Sequence, residues 1–413
     1  MTSDLARGPL AGVRVLDLTA MLAGPFTTML LADLGADVIK IEPTEGDRTR
    51  ALGPFRPGDP AEALGGYFQS VNRGKGSIVL DLKAADDAAL FRELVGEADV
   101  VVENFSTGVM ERLGLSYEVL AAINPRLVYA ALRGFGDARS GASPYETWPA
   151  FDIVAQAMGG FAAITGPLGG PPLKSGPGIG DIFPGALLAL GVVAAVRHAE
   201  HTGQGQFVDV AMYDAVLALC ERVVYQHSYL GIDPEPMGNG HPLLAPFDIM
   251  QTSDGWLAVA APSDKHWRIL TEAMGVPELA DDPRFVNNAA RTVNVVATRQ
   301  VLGDWLGRHA TAEVVALLGG KVPIGPVNTA SDIFKDEHAR VREMLVDVEQ
   351  PGSDRPVTIA GVPIKFSRTP SATPTRGPLL GEDDPAQILA RWRGQSLAPA
   401  AQEANRDGNA DDA

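Results

Sequence analysis

The 413-residue chain has few cysteines and little positive charge, and each shortage excludes a class of protein. Its one cysteine, Cys220, excludes an intrachain disulfide framework and fits a reducing compartment. Lys and Arg number 34 against 51 Asp and Glu, so the net charge of −17 argues against a nucleic-acid partner. Any site for an anionic ligand must therefore be a local basic cluster on an acidic protein.

Long apolar runs and targeting segments are also scarce. The longest apolar run, 186–196, is shorter than the roughly 20 residues that a membrane-spanning helix needs. The N-terminus lacks the charged and then apolar pattern of a signal peptide. These features predict a cytoplasmic protein with no membrane partner. The polar tail at 396–413 is expected to be disordered.

Several catalytic motifs are missing as well. The seven histidines show no metal-binding spacing such as HExxH, so no metal site is predicted. The GxSxG pattern of a serine nucleophile is absent. No GxGxxG follows the first predicted strand, which disfavours a nicotinamide-dependent dehydrogenase.

What the first half does contain is an alternation of short Val-, Ile- and Leu-rich runs with helix-sized segments. This pattern predicts an α/β fold with a doubly wound parallel sheet. The predicted strands are 13–18, 36–42, 76–82, 98–104 and 126–134. Ligands on such sheets bind at the carboxyl ends of the strands, so residues 19–25, 42–50 and 104–108 are the candidate ligand loops.

A change of composition predicts the domain boundaries. A Gly- and Pro-rich stretch begins at residue 231, after a strongly apolar helical pattern at 207–230. We predict a large domain from 1–230, a small domain from 231–335 and a return to the large domain over 336–395.

Two further segments carry strand signals. A Ser-Asp-Gly turn within 248–262 predicts a hairpin. The apolar run at 357–367 predicts a strand that rejoins the first sheet.

The most distinctive motif is the glycine-rich segment 169–185, which leads through Gly178 and Gly180 to Asp181 and an apolar helix. Asp181 could simply cap that helix. A phosphate-binding loop is a second interpretation, although the spacing matches neither GxGxxG nor GxxxxGK[ST]. The third is that the glycines expose the backbone, so that a bulky ligand can approach the Asp181 carboxylate.

Basic residues cluster in two polar loops, which hold Arg48, Arg50, Arg73 and Lys75. They are either solvated surface charges or a cradle for phosphate groups.

A third group, Asn104, Phe105 and Arg112, follows a predicted strand. There an aromatic ring beside an arginine could stack on an adenine, although Phe105 could equally belong to the core.

Eight segments in order resemble the class III CoA-transferases, a family that includes formyl-CoA transferase, carnitine CoA-transferase and α-methylacyl-CoA racemase. The resemblance runs from about residue 9 to 395. The segments are LDLTAMLAGP, LGADVIKIE, NRGKGSIVLDL, VVENFSTG, DIVAQAMGG, the glycine-rich segment ending at Asp181, TGQGQFVDVAMYDAV and APFDIMQTSDGW.

The resemblance implies a Rossmann-like large domain, a smaller α+β domain and an interlocked homodimer. It implies an enzyme that moves CoA from an acyl-CoA thioester to a free carboxylic acid, through an aspartyl anhydride and an aspartyl-CoA thioester. Asp181 matches the family's nucleophile, and Lys75, Asn104, Phe105 and Arg112 match its CoA-contacting positions. Coenzyme A and acyl-CoA would be substrates, with no permanently bound cofactor.

Such a reaction needs backbone N–H groups that stabilise an oxyanion. Gly178 and Gly180 are candidates, as are Gly238 and Gly240, which could also form a lid that excludes water.

The chain departs from the family pattern at several positions. Leu22 and Ala51 stand where formyl-CoA transferases carry Gln and Trp. Pro43 replaces a CoA-binding arginine, for which Arg48 or Arg50 could substitute.

Two alternatives remain open at this point. An acyl-CoA racemase or epimerase would need a His–Asp couple, but Phe151 precedes Asp152 where the family's racemases carry the histidine. A non-catalytic CoA-binding protein would need no nucleophile at Asp181.

Overall fold

The computed structural model describes residues 8–60 and 64–394, and the chain forms two compact units. The first unit contains the chain up to Pro149, Asp181–Met212 and the chain from Val346 onward. The second contains Ala150–Gly180 and Tyr213–Leu345, so it extends on both sides of the predicted small domain 231–335. The tail predicted at 396–413 lies outside the described residues. The interlocked homodimer stays a prediction.

A six-stranded parallel sheet forms the centre of the first unit, in the order β3-β2-β1-β4-β5-β6. Its strands are β1 (Arg14–Asp17), β2 (Asp37–Glu42), β3 (Gly76–Val79), β4 (Val100–Glu103), β5 (Val128–Arg133) and β6 (Phe207–Ala211). This order is that of a Rossmann-type doubly wound sheet. The predicted α/β fold class is therefore confirmed.

The other strands form two small sheets. They are β7 (Phe247–Gln251), β8 (Trp256–Ala260), β9 (Ile324–Pro326), β10 (Leu345–Val348) and β11 (Val357–Ala360). β7, β8 and β9 form an antiparallel sheet in the second unit, and the predicted hairpin is its β7–β8 pair.

Helices surround these sheets. In chain order they are α1 (Ala23–Asp33), α2 (Gly66–Asn72), α3 (Ala85–Glu97), α4 (Val109–Arg112), α5 (Tyr117–Ile123), α6 (Asp152–Met158), α7 (Phe161–Ile164), α8 (Ile179–Thr202), α9 (Met212–Leu219), α10 (Glu221–Leu230), α11 (Asp264–Ala273), α12 (Asn288–Val293), α13 (Val295–Leu306), α14 (Thr311–Leu318), α15 (Ala330–Ile333), α16 (Glu337–Val341) and α17 (Pro385–Trp392).

Two sequence predictions about strands are wrong. Residues 207–211, predicted to be helical, form β6, because the short apolar run pairs with β5 along its whole length. β11 does not rejoin the first sheet but pairs with β10. The partner of β6 lies far away in sequence, so the local pattern does not identify it. The partner of β11 is instead the strand that directly precedes it, and the short β10–β11 sheet was missed because 345–348 carried no predicted strand.

Helix α8 is longer than the apolar run at 186–196, which by itself is too short to cross a membrane. Among the described residues it is the one helix whose length and composition would allow it to cross a membrane. Its side chains Leu188, Val192 and Val196 are buried in the protein, and the core helix of a globular protein passes the same test.

The first unit carries a buried ion pair beneath its first loop. The Lys75 ammonium lies 3.0 Å from the Asp17 carboxylate, and both side chains are fully removed from water. Lys75 also donates to the carbonyl of Pro25 and to the side chain of Asn72. Thr19 and Thr28 donate their hydroxyl hydrogens to Asp17. Removing one partner would therefore leave a buried charge unpaired, which is strongly destabilising.

We expect Asp17→Asn and Lys75→Met each to lower the free energy of unfolding by about 3–5 kcal/mol, because each leaves the partner's charge buried alone. The double variant should lose clearly less than the sum of the two losses. Urea unfolding at pH 7 measures all three values. Glu337→Gln, which breaks an exposed pair with Arg340, serves as the control and should cost at most about 1 kcal/mol. Strictly additive losses for Asp17 and Lys75 would contradict this account.

Candidate active site at the carboxyl edge of the sheet

The strand order reverses between β1 and β4, and a doubly wound sheet binds its ligand at that point. The β1–α1 loop, residues 18–22, and the loop after β4 meet there. The Asn104 side chain joins the two loops: its Oδ1 accepts from the Ala20 N–H at 2.9 Å, and its Nδ2 donates to the Ala20 carbonyl at 2.8 Å. Asn104 therefore fixes the shape of the crevice. Its predicted contact with CoA stays a prediction.

Two buried lysines, Lys40 and Lys75, bind backbone carbonyls in the β1–α1 loop and at the start of α1. Lys40, in β2, donates to the Thr19 carbonyl at 2.6 Å and pairs with Asp47 at 3.0 Å. Lys75 donates to the carbonyl of Pro25 in the first turn of α1, just after the loop. Between these anchors Met21 has a φ of +70°, a left-handed conformation that non-glycine residues rarely adopt. Such backbone strain concentrates at functional sites.

The buried pair under this loop is ionised at neutral pH. Desolvation alone would raise the pKa of Asp17, but Lys75, Lys40 and two threonine hydroxyls lower it to about 2. Burial lowers the pKa of Lys75 to about 8, against the attraction of Asp17. At pH 7 both groups are therefore mainly charged, and Lys75 loses its proton as the pH rises through about 8.

Asp181 lies in the first turn of α8, and α8 begins at this same edge of the sheet. Gly185 packs against the start of α1, where a Cβ on Gly185 would lie 2.6 Å from the Ala23 carbonyl oxygen. Thr27 donates to the Gly185 carbonyl at 2.9 Å. Asp181 precedes Gly185 by one turn, about 6 Å along the helix axis. Asp181 therefore lies one turn from the start of α1, and the N-terminus of α8 favours its negative charge.

Three of the four residues of the predicted basic cluster form ion pairs within the protein. Arg50 pairs with Glu42 at 2.6 Å, and Arg73 pairs with Asp33 at 2.6 Å. All three donors of Lys75 are engaged inside the protein, so its predicted contact with CoA is not supported by its position. These three loop residues are therefore paired with carboxylates of the protein itself.

Two of the predicted cations remain at the surface. Arg48 and Arg112 are exposed, and within the residues that the structure describes neither forms an ion pair. Arg112 ends α4 and lies over Gly108, in the loop after β4. Between Arg48 and Arg50, only Arg48 therefore has a guanidinium available for a ligand.

Phe105 is partly buried, and its predicted contact with CoA stays a prediction. Phe105 packs against the hydrophobic core. Tyr145 and Trp148 form an aromatic group with Phe135, their own ring centroids 4.8 Å apart, and Trp148 is 55% exposed. Thr107 donates to the Glu146 carbonyl at 3.0 Å, which ties this group to the loop after β4. No periodicity marks Trp148 in the sequence, so the sequence analysis missed it.

The predicted oxyanion donors are mostly engaged. The Gly180 N–H donates to Asp152 Oδ1 at 2.7 Å. In the second unit the Gly238 N–H donates to the Gly166 carbonyl and the Gly240 N–H to the Met237 carbonyl. These three N–H groups would have to exchange partners before they could bind an oxyanion. Gly178 directly precedes α8, and its role stays a prediction.

No group of three or more His, Cys, Asp or Glu in the described part of the chain could hold a metal ion. The edge thus offers an aspartate at a helix N-terminus, a strained loop, exposed arginines and an exposed aromatic surface. This set suits a reaction in which a carboxylate attacks a bound thioester.

Comparison with known proteins gives a consistent result. The profile of "CoA-transferase family III" matches residues 10–384. The chain belongs to CoA-transferase family III. It is therefore an enzyme of the CoA-transferase class.

Two curated members of CoA-transferase family III are similar over nearly their whole length. A succinyl-CoA:mesaconate CoA-transferase of Haloarcula hispanica is 50% identical over 91% of this chain and 94% of its own. A succinate–glutarate CoA-transferase of Agrobacterium fabrum is 38% identical over 92% and 95%. A crystal structure of a CaiB/BaiF family protein from Brucella suis covers 94% of this chain and 100% of its own at 36% identity, with a TM-score of 0.81.

In this family III member the backbone of Gly180, directly before Asp181, lies very close to the backbone of Asp152, and substitution of Gly180 tests this contact. A Cβ there would lie 2.6 Å from the Asp152 carbonyl oxygen, whereas a Cβ on Gly176 in the same loop would meet nothing within 4 Å. We expect Gly180→Ala to lower the free energy of unfolding by about 1–3 kcal/mol through overpacking, and Gly176→Ala to change it by less than about 1 kcal/mol. Thermal and urea unfolding measure both. Equal effects of the two substitutions would show that the close approach does not matter.

Proposed function

We propose that this enzyme transfers CoA from succinyl-CoA to a small dicarboxylic acid such as mesaconate, with Asp181 as the covalent nucleophile. The observation that carries the proposal is the position of Asp181, in the first turn of α8 at the carboxyl edge of the sheet. The substrate pair is taken from the relative that is 50% identical.

The first half-reaction transfers CoA from the donor to the enzyme. The Asp181 carboxylate attacks the thioester carbonyl, the carbon–sulfur bond breaks, and CoA leaves as a thiolate, which produces a mixed anhydride. The thiolate then attacks the aspartyl carbonyl of that anhydride and releases succinate. The product is an aspartyl-CoA thioester. Both nucleophiles are anions, so this sequence needs no general base.

The second half-reaction reverses these steps with the acceptor. The acceptor carboxylate attacks the aspartyl-CoA thioester, which releases CoA thiolate and forms a second anhydride. The thiolate attacks the acceptor's acyl carbon, and the Asp181 carboxylate leaves unchanged. Each attack places negative charge on a carbonyl oxygen, which the N-terminus of α8 favours.

The CoA moiety is proposed to lie along the exposed surface of the loop after β4. Arg48 and Arg112 are the cations available for its phosphates, and Arg–phosphate pairs are strong charge-assisted hydrogen bonds. The exposed ring of Trp148, supported by Tyr145, provides a flat surface on which adenine can stack. Phosphate binding and adenine stacking depend on groups close to the ligand, so neither requires the protein as a whole to be basic.

The residues at the edge favour transfer over racemisation. Phe151 stands before Asp152, so the His–Asp couple of the family's racemases is missing. Asp152 is moreover hydrogen-bonded to the backbone of Gly180.

We expect succinyl-CoA to label the enzyme covalently at Asp181. After trapping with hydroxylamine or borohydride, intact and peptide mass spectrometry should show a donor-dependent change at Asp181. The change should be absent in Asp181→Asn and present in Asp304→Asn, which alters an exposed aspartate of α13. No adduct with any acyl-CoA donor would contradict the proposal, and α-deuterium exchange without an adduct would assign racemase chemistry instead.

We expect Arg112→Ala and Arg48→Ala to raise the KM for succinyl-CoA by about tenfold each, since one charge-assisted hydrogen bond contributes about 1.5–3 kcal/mol. The value of kcat should change little, and added salt should weaken the wild-type enzyme more than the variants. Arg126→Ala is the matched control, because Arg126 is exposed but lies before β5 at the opposite edge of the sheet. An unchanged KM in both variants would place the CoA phosphates elsewhere.

A further inference from the structure

The loop that leads into Asp181 contains almost no side chains that could hold it. Residues 175–180 read Ser-Gly-Pro-Gly-Ile-Gly. Ordering a backbone residue costs about 1–2 kcal/mol, and glycine loses the most conformational freedom. Within the segment, the Ser175 hydroxyl and the Ile179 N–H both donate to the Pro177 carbonyl, and Ile179 and Gly180 already belong to the first turn of α8. The restraint on the Ser175 and Gly180 N–H groups comes from outside the segment.

Helix α6 supplies that restraint through two residues one turn apart, Asp152 and Gln156. Asp152 Oδ1 accepts from the Gly180 N–H at 2.7 Å, at the end of the loop. Gln156 Oε1 accepts from the Ser175 N–H at 2.8 Å, at its start. The Gln156 amide also donates to both oxygens of Asp152, at 2.8 and 2.9 Å. Asp152 and Gln156 are thus hydrogen-bonded to each other, and together they hold both ends of the loop.

The helix that carries these residues is itself anchored. Gln156 and Ala155 are buried. At the other end of α6, a Cβ on Gly159 would lie 2.7 Å from the Val216 side chain, so α6 packs closely on α9. Gly180 likewise approaches the Asp152 backbone too closely for any side chain. The restraint is therefore rigid at both contacts.

We propose that Asp152 and Gln156 are positioning residues that hold the 175–180 loop so that the following residue, Asp181, meets the thioester in a reactive geometry. This inference rests on the proposed function in one respect, that Asp181 is the nucleophile. Asp152 acts through the Gly180 backbone and exchanges no proton with the substrate. Nucleophilic attack requires the reacting atoms to be about 3–3.5 Å apart and aligned, and a 1 Å displacement can reduce the rate about 100-fold.

The proposal predicts a specific pattern of kinetic effects. Asp152→Ala removes the acceptor of the Gly180 N–H and should lower the single-turnover rate of acyl transfer to Asp181 by about 10- to 100-fold. The KM for succinyl-CoA should stay within about twofold. Asp152→Asn keeps the Oδ1 acceptor in the same shape and should recover a clear part of the rate. Gln156→Ala should resemble Asp152→Ala, and Asp304→Asn, on the exposed face of α13, should match the wild type.

A second measurement reports on the loop without any reaction. Hydrogen–deuterium exchange of a peptide that covers residues 175–181 should be faster in Asp152→Ala and Gln156→Ala than in the wild type or in Asp304→Asn. Circular dichroism and thermal unfolding identify any variant that fails to fold. If Asp152→Ala does not fold, Asp152→Asn carries the kinetic test and should still react more slowly than the wild type with an unchanged KM.

Three results would overturn the inference. The first is a wild-type labelling rate in Asp152→Ala, and the second is unchanged exchange in the loop. The third is an Asp152→Asn variant as slow as Asp152→Ala, since that pattern would mean that the charge of Asp152, rather than its geometry, serves the reaction. If the wild-type enzyme itself is never labelled at Asp181, the proposed function fails, and the exchange experiment still decides whether Asp152 and Gln156 hold the loop.

Discussion

The need to pair the buried charges beneath the β1–α1 loop constrains the whole carboxyl edge of the sheet. Asp17 and Lys75 are both fully buried, and so is Lys40. Ions so far from water persist only when their charges and hydrogen bonds are satisfied. Their remaining donors therefore bind the carbonyls of Thr19 and Pro25, which fixes the loop where a ligand would bind.

This constraint explains why several sequence motifs that resemble ligand sites serve the fold instead. The loops that contain Arg50, Arg73 and Lys75 look like phosphate loops, yet each cation is paired with a carboxylate of the same unit. Their function is to build a rigid edge. Arg48 and Arg112 stay exposed on a protein whose net charge is −17, and they are the cations that we propose for the anionic substrate.

A similar principle operates next to Asp181, where a polar pair fixes a segment that has almost no side chains of its own. Asp152 and Gln156 hold the glycine-rich loop from a helix that is packed on its other side. Glycine permits the close approach of backbone to backbone, and the carboxylate and amide then provide the restraint that glycine lacks. Both halves of the proposed mechanism, a rigid crevice and a held nucleophile loop, thus depend on polar side chains whose hydrogen-bond partners lie within the protein.

The sequence by itself determined the sheet, since its strands are Val-, Ile- and Leu-rich runs whose burial on both faces follows from composition. The order of motifs was sufficient to predict the family and to single out Asp181. It did not identify β6, because an apolar run becomes a strand only when another strand pairs with it, and β5 lies far away in sequence. Only the tertiary structure decided which charges are internal, because the state of Lys75 or Arg50 depends on carboxylates far away in the chain. For the same reason the roles of Asn104, Trp148 and Asp152 became visible only once their distant partners were in place.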